Sequence, residues 1–213
     1  MAVTEADFAR AVDCRSGRPV YRVMKQARVG IAGLGGLGSN IAAALARSGV
    51  GHLTLVDFDK VELSNLNRQL YGLPQLGKTK VSAISEILPQ INPFCRITAR
   101  NVRVTAENCA DLFAGCGIIV EAFDLPEQKA MLVNAVMEKM PDKHIVCGSG
   151  MAGFGGANTI VTRYVTEKLT VCGDGVTDIA DGVGLTAARV MVCAGHMASR
   201  AMEIILGQSN KLK

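Results

Sequence analysis

The chain has 213 residues, and its 23 Lys and Arg against 19 Asp and Glu give a mild formal charge of +4. At 49% hydrophobic and 20% charged residues it can fill one core, which excludes disorder as the main state and leaves little room for a second domain. Aromatics reach only 4% and the basic residues are scattered, so no nucleic-acid partner is expected.

Seven cysteines stand at positions 14, 95, 109, 116, 147, 172 and 193, and no two are separated by only two residues. That spacing excludes paired C-x-x-C knuckles, so no zinc is expected. The odd count, and a start (Met1 to Asp7) with neither a basic nor an apolar leader region, point to reduced thiols and a cytoplasmic compartment. No apolar stretch approaches the ~20 residues that span a bilayer, so no membrane partner is expected.

Residues 1–27 read as a polar helical lead-in. Arg28 to Ala32 is a short buried strand that runs straight into glycines. Asn40 to Ser48 has helical spacing, and His52 to Val56 is a second strand ending on Asp57. Together these form a β-turn-α-β unit. A helix from Gly77 to Leu88, stopped by Pro89, leads to a strand over Arg96–Ala99 and a helix over Ala106–Phe113. Strands over Ile118–Ala122 and His144–Cys147 flank a helix from Pro126 to Met140, with Pro at its first turn. Glycine-dense loops at 148–156 and 173–184 separate possible strands over Asn158–Tyr164 and Lys168–Val171. A long apolar helix from Leu185 to Leu206 closes the chain. The expected fold is a single α/β domain: a doubly wound, Rossmann-like, mostly parallel sheet with helices on both faces.

Chemistry concentrates in four places. Gly33-Leu34-Gly35-Gly36-Leu37-Gly38 lies between a strand and a helix. There glycines permit a tight turn, close approach of backbone N–H groups to a phosphate, and close helix–strand packing. Asp57 ends the second strand, where a carboxylate accepts ribose hydroxyls. To this point NAD and ATP fit equally well. Asp59, Asn65, Arg68, Gln69 and Lys80 follow; Arg68 and Lys80 neutralise phosphate charge, Asn65 hydrogen-bonds it, and carboxylates hold Mg²⁺ through water. Asp124, just past the end of a buried strand, is placed to bind Mg²⁺ or to cap the helix that begins at Pro126.

These motifs together resemble the ThiF/MoeB/HesA superfamily, bacterial relatives of the ubiquitin-activating enzymes, over about residues 28–206. The texture of Cys147-Gly148-Ser149-Gly150-Met151 and Val171-Cys172-Gly173-Asp174-Gly175 is most similar to the short ThiF type associated with thiamine biosynthesis. The resemblance implies an ATP-binding adenylyltransferase domain over residues 28–213. Its substrate would be the C-terminal glycine of a small ubiquitin-like sulfur carrier protein ending in Gly-Gly, with pyrophosphate released. It further implies ATP and Mg²⁺ as cofactors and a homodimer. Asp57 would hold the ribose, Asp59 would lie beside the triphosphate, Asn65, Arg68 and Lys80 would hold phosphates, and Asp124 would hold the metal. Arg15, with Arg18 second, is the candidate arginine reaching the partner subunit's site. Cys172 is the candidate for a thiol role after adenylation. The chain departs from many relatives in lacking their zinc-binding C-x-x-C pairs. Two rival readings are an NAD-dependent oxidoreductase, which leaves Arg68, Lys80 and Asp124 idle, and a non-catalytic nucleotide-binding partner. The two glycine-dense loops are the expected walls of a channel for the carrier's tail.

Overall fold

The structure, a computed structural model, describes residues 3–207. The first two residues and the end of the expected domain, 208–213, lie outside the described residues. The lead-in forms two helices, α1 (Glu5–Ser16) and α2 (Tyr21–Gln26). Thr4 caps α1 reciprocally with Asp7, and Gly17, at φ 67°, ends it. Asp13 then accepts the backbone N–H groups of Val20 and Tyr21, at 2.8 and 2.7 Å, which turns the chain so that Met24 enters the core.

Seven strands follow: β1 (Arg28–Ala32), β2 (His52–Asp57), β3 (Arg96–Asn101), β4 (Ile118–Glu121), β5 (His144–Gly148), β6 (Val161–Tyr164) and β7 (Leu169–Gly173). They form one sheet in the order β3-β2-β1-β4-β5-β7-β6, parallel throughout except for β6, which runs antiparallel to β7 at the edge. The helices are α3 (Gly36–Arg47), α4 (Lys80–Ile91), α5 (Cys109–Phe113), α6 (Pro126–Lys139) and α7 (Ala187–Ile205). Strand residues alternate between two cores. Val29, Ile31, Leu53, Leu55 and Val120 meet α3, α4 and α7 on one face, while Ala32, Val56, Ile119 and Ile145 meet α5 and α6 on the other. A strand buried on both faces reads as an unbroken apolar run, which is why β1, β2 and β4 were visible in the sequence.

The expected doubly wound sheet is therefore present, with differences at element ends; the helix expected from Gly77 starts at Lys80, where Thr79 caps it by accepting the Ser82 N–H. The first helix starts at Gly36 rather than Asn40, because glycines carry no apolar period to mark the first turn. Pro89 lies inside α4 rather than ending it; it is exposed and removes only its own N–H, and Asn92 closes the helix onto the Leu88 carbonyl at 2.9 Å. The expected helix from Ala106 shrinks to Cys109–Phe113, because Thr105 and Asn108 hydrogen-bond each other's backbone and hold a turn. The possible strand from Asn158 begins only at Val161, after a short 3₁₀ turn over Ala157–Thr159.

Candidate active site

The chain runs from β1 outward to β3, then returns to place β4 on the other side of β1. This reversal opens a crevice at the carboxyl ends of the strands. A cavity of about 630 Å³ fills it, walled at the carboxyl ends of the six parallel strands by Gly33, Asp57, Val102, Ala122, Ser149 and Gly175.

The glycine turn forms its floor. Gly33 has φ +91°, and a Cβ there would sit 2.8 Å from the carbonyl oxygen of Ala122, so only glycine joins β1 to α3 beside β4. Gly35 is the N-cap of α3 and makes no side-chain cap, so the first-turn N–H groups carry the helix's positive end without a side-chain partner. A Cβ on Gly35 would meet nothing nearer than Gln69 Nε2 at 3.8 Å, which leaves an open cradle above the turn. Gly36 also lines the cavity, against the Arg68 stem.

Asp57 is nearly buried at the cavity wall. One carboxylate oxygen accepts the Leu34 N–H at 2.6 Å and the other accepts the Asp59 N–H at 2.7 Å. Burial pushes its carboxyl above the usual range, opposed by Lys80 and by these two hydrogen bonds. Its first observed role is thus to fasten the glycine turn to the end of β2. Lys80, buried at the first turn of α4, reaches Asp59 at 2.8 Å. Arg68 donates to the Ser64 carbonyl at 3.0 Å and to Asn67 Oδ1 at 2.8 Å, and Asn65 Oδ1 accepts the Glu62 N–H at 3.2 Å. Gln69 Oε1 is buried without a hydrogen-bond partner on this wall. Asp124 stands exposed at the opposite side, beyond β4, and Arg103 stacks 4.3 Å above the Phe58 ring at the mouth.

The sequence-predicted residues meet in this one cavity except Gly38, Arg15, Arg18 and Cys172. Gly38 does not line it: a Cβ there would overlap the Gly33 carbonyl, so Gly38 serves close packing of α3 under the turn rather than ligand contact. Arg15 ends α1 and is exposed away from the cavity, as is Arg18. Cys172 is fully buried, bonded to Thr162 Oγ1 at 3.7 Å, and burial pushes its thiol up to about 11. That environment belongs to an inert core thiol, not a nucleophile.

Two charged pairs escaped sequence reasoning. Glu121, with no exposed surface, holds Lys129 at 3.0 and 3.1 Å, and Lys129 also donates to the Gly148 carbonyl at 2.8 Å, tying β4, α6 and β5 together. Burial pushes the Glu121 carboxyl up, against the pull of Lys129. Arg189, at the start of α7, pairs with Asp174 beneath the two glycine-dense loops. The available signal was an Arg in the first turn of a largely apolar helix and an Asp between two glycines.

The donor set fits a nucleoside triphosphate. The cradle leaves backbone N–H groups for phosphate, two cations stand beside it, and the orphaned Gln69 oxygen calls for a donor such as a hydroxyl or amine. Asp124, past β4 on the far wall, suits Mg²⁺, which takes one or two carboxylates together with phosphate oxygens. No cluster of three or more metal-ligating side chains occurs among the described residues. No helix among them is long and apolar enough to cross a membrane.

Comparison with known proteins gives the family and the fold. The chain is 37% identical over 119 residues, 55% of its length and 44% of the relative's, to the tRNA threonylcarbamoyladenosine dehydratase of Escherichia coli. It is 30% identical over 203 residues, 89% of its length and 44% of the relative's, to an adenylyltransferase and sulfurtransferase of Aedes aegypti. It therefore spans less than half the length of these curated relatives. Its fold superimposes on a crystal structure of the E. coli dehydratase in complex with ATP with a TM-score of 0.86, over 100% of both chains at 22% identity. The model of the ThiF family matches residues 9–213, and the chain belongs to that family.

Proposed function

We propose that the chain uses Mg·ATP to adenylate a carboxylate, forming an acyl-adenylate and releasing pyrophosphate. The supporting observation is the gathering in one cavity of an uncapped helix N-terminus, Arg68, Lys80 and the carboxylate of Asp124 past β4 on the facing wall. Bound ATP supplies the electrophilic phosphorus. The chain's own residues position and neutralise: Asp57 holds the turn and meets the ribose, Lys80 and Arg68 balance phosphate charge, Asn65 and Gln69 hydrogen-bond the ligand, and Asp124 takes the metal. The attacking carboxylate comes from the substrate, so no protein nucleophile is required, and catalysis is positioning plus charge neutralisation.

The substrate we favour is the Gly-Gly end of a small ubiquitin-like sulfur carrier, of the ThiS kind used in thiazole synthesis. Exposed Leu125, Val176 and Ile179 line the cavity and offer apolar surface to a peptide end. A homodimer completed by Arg15 of the partner subunit belongs to this proposal. A second reading, activation of a threonylcarbamoyl carboxylate on tRNA, draws on the dehydratase relative. Incubation with Mg·ATP and each candidate separates them: a carrier mass increase equal to an adenylyl group, AMP less water, supports the first, and ATP-dependent change of modified tRNA alone supports the second. Arg68→Ala and Asp124→Ala are expected to abolish carrier-dependent pyrophosphate exchange while keeping the fold; full exchange in both would refute the assignments.

A further inference from the structure

The cavity divides at β1. On one side lie the glycine turn and the segment from Asp57 to Lys80, which account for a nucleotide. The other side, over β4, β5 and β7, is walled by Ser149–Ala152 and Gly175–Ile179. Of the residues assigned to the nucleotide, only Asp124, past the end of β4, borders this second half.

Its two loops are interlocked. Ser149 N–H donates to the Cys172 carbonyl at 2.8 Å, Asp174 N–H to the Gly150 carbonyl at 2.9 Å, and Gly175 N–H to the Ser149 carbonyl at 3.0 Å. A Cβ on Gly150, at φ +78°, would overlap the Asp174 carboxylate, and one on Gly173, at φ +137°, would sit 2.5 Å from the Ser149 carbonyl carbon. The glycines are there for contact between loops. Beneath them all three guanidinium nitrogens of Arg189 bond to the structure: Nε to the Ala152 carbonyl at 3.0 Å, Nη1 to the Gly156 carbonyl at 2.8 Å, and Nη2 to Thr159 Oγ1 at 3.1 Å and to Asp174. Asp174 in turn accepts the N–H groups of Val176 and Thr177, at 2.8 and 2.9 Å, and the Thr177 hydroxyl at 2.8 Å. Thr177 Oγ1 accepts the Ala152 N–H at 3.1 Å, closing the ring from one loop to the other. The two side chains are 4% and 8% exposed, so the pair works from beneath the wall rather than within the cavity.

We infer that the Arg189–Asp174 pair positions the acyl half of the reaction: it holds the two loops as a preformed channel for the narrow chain end that carries the carboxylate, and it leaves nucleotide binding to the other half. This rests on the adenylation reading above. With its donors engaged, Arg189 is a positioning residue and not a catalytic one. Fixing the wall before binding removes the ordering cost from the substrate step.

The test uses the full chain and two probes, AMP and 5′-O-(N-glycylsulfamoyl)adenosine, a stable mimic of glycyl-adenylate, both followed by titration calorimetry. Arg189→Lys keeps the charge but loses the planar fork, and Asp174→Asn keeps the shape; if either fails to fold, the other decides. The expected result is AMP affinity within about twofold of wild type and a loss of about tenfold or more in the preference for the mimic over AMP. Faster amide exchange at Ala152, Val176 and Thr177 accompanies it. Equal weakening of both probes, or of neither, overturns the inference. A wild-type chain that binds AMP but gains nothing from the glycyl group overturns the inference alone, whereas one that binds neither AMP nor ATP overturns the adenylation reading and this inference with it.

Discussion

Two glycines of the same turn are expected to fail in opposite ways. A Cβ on Gly38 would lie 2.9 Å from the Gly33 carbonyl carbon, 3.2 Å from Ile31 Cγ2, and closer still to the Gly33 oxygen. Contact between carbon atoms is comfortable at roughly 3.5–4.0 Å, and here the obstacle is backbone, so α3 must move off β1. Overpacking of this kind costs about 1–3 kcal/mol or more, while alanine's better helix propensity returns about 1. Gly38→Ala is therefore expected to destabilise by about 2 kcal/mol, lowering the unfolding midpoint by roughly 4–8 °C for a chain of this size. Gly35→Ala meets only Gln69 Nε2 at 3.8 Å and leaves the midpoint nearly unchanged. Its methyl occupies the cradle, however, and the loss of a charge-assisted bond to phosphate, about 1.5–3 kcal/mol, weakens ATP by tenfold or more. Thermal unfolding by circular dichroism and ATP titration read the two effects separately. A Gly38→Ala protein with the wild-type midpoint, or a Gly35→Ala protein that melts early yet binds ATP normally, would refute this division of roles.

Other perturbations address the buried charges. Glu121→Gln leaves the Lys129 ammonium facing the interior and is expected to cost about 3 kcal/mol, most of which returns in the Glu121→Gln/Lys129→Met double variant; additive losses in urea titrations would show that the two do not act as a pair. Burial alone would raise the Asp174 carboxyl, but hydrogen bonds from Thr177, Val176 and Arg189 outweigh it and hold it down at about 2. A depressed folded value means stability that is complete above the unfolded value of about 3.9 and is lost as pH falls through about 2. The stability gap between wild type and Asp174→Asn should accordingly shrink by about 2 kcal/mol between pH 4 and 2, and a gap independent of pH in that window contradicts the hydrogen-bonded geometry.

What the sequence displayed well was contiguous. The β1–turn–α3–β2 unit, and the run from Asp57 to Lys80, are close in the chain because a strand end and the loop after it form one wall of the crevice. What it hid was partnership across the fold. Glu121 and Lys129 belong to a strand and the helix after it, and Arg189 finds Asp174 from a different element, so neither pair leaves a periodic trace. Glycine was the least transparent residue. The same letter marks a ligand cradle at Gly35, a backbone contact at Gly38 and an interlock between loops at Gly150, and only the neighbouring atoms distinguish these uses.

Six of the seven thiols are buried, and the exposed one, Cys14, sits on α1 outside the cavity. For an adenylating chain this fixes a division of labour. The mixed anhydride formed in the crevice meets no thiolate among the described residues, and Cys172 and Cys193 beneath it are held protonated by burial, at about 11 and about 12. On the adenylation reading, the nucleophile that consumes the activated acyl group, sulfur or otherwise, therefore comes from outside the described residues.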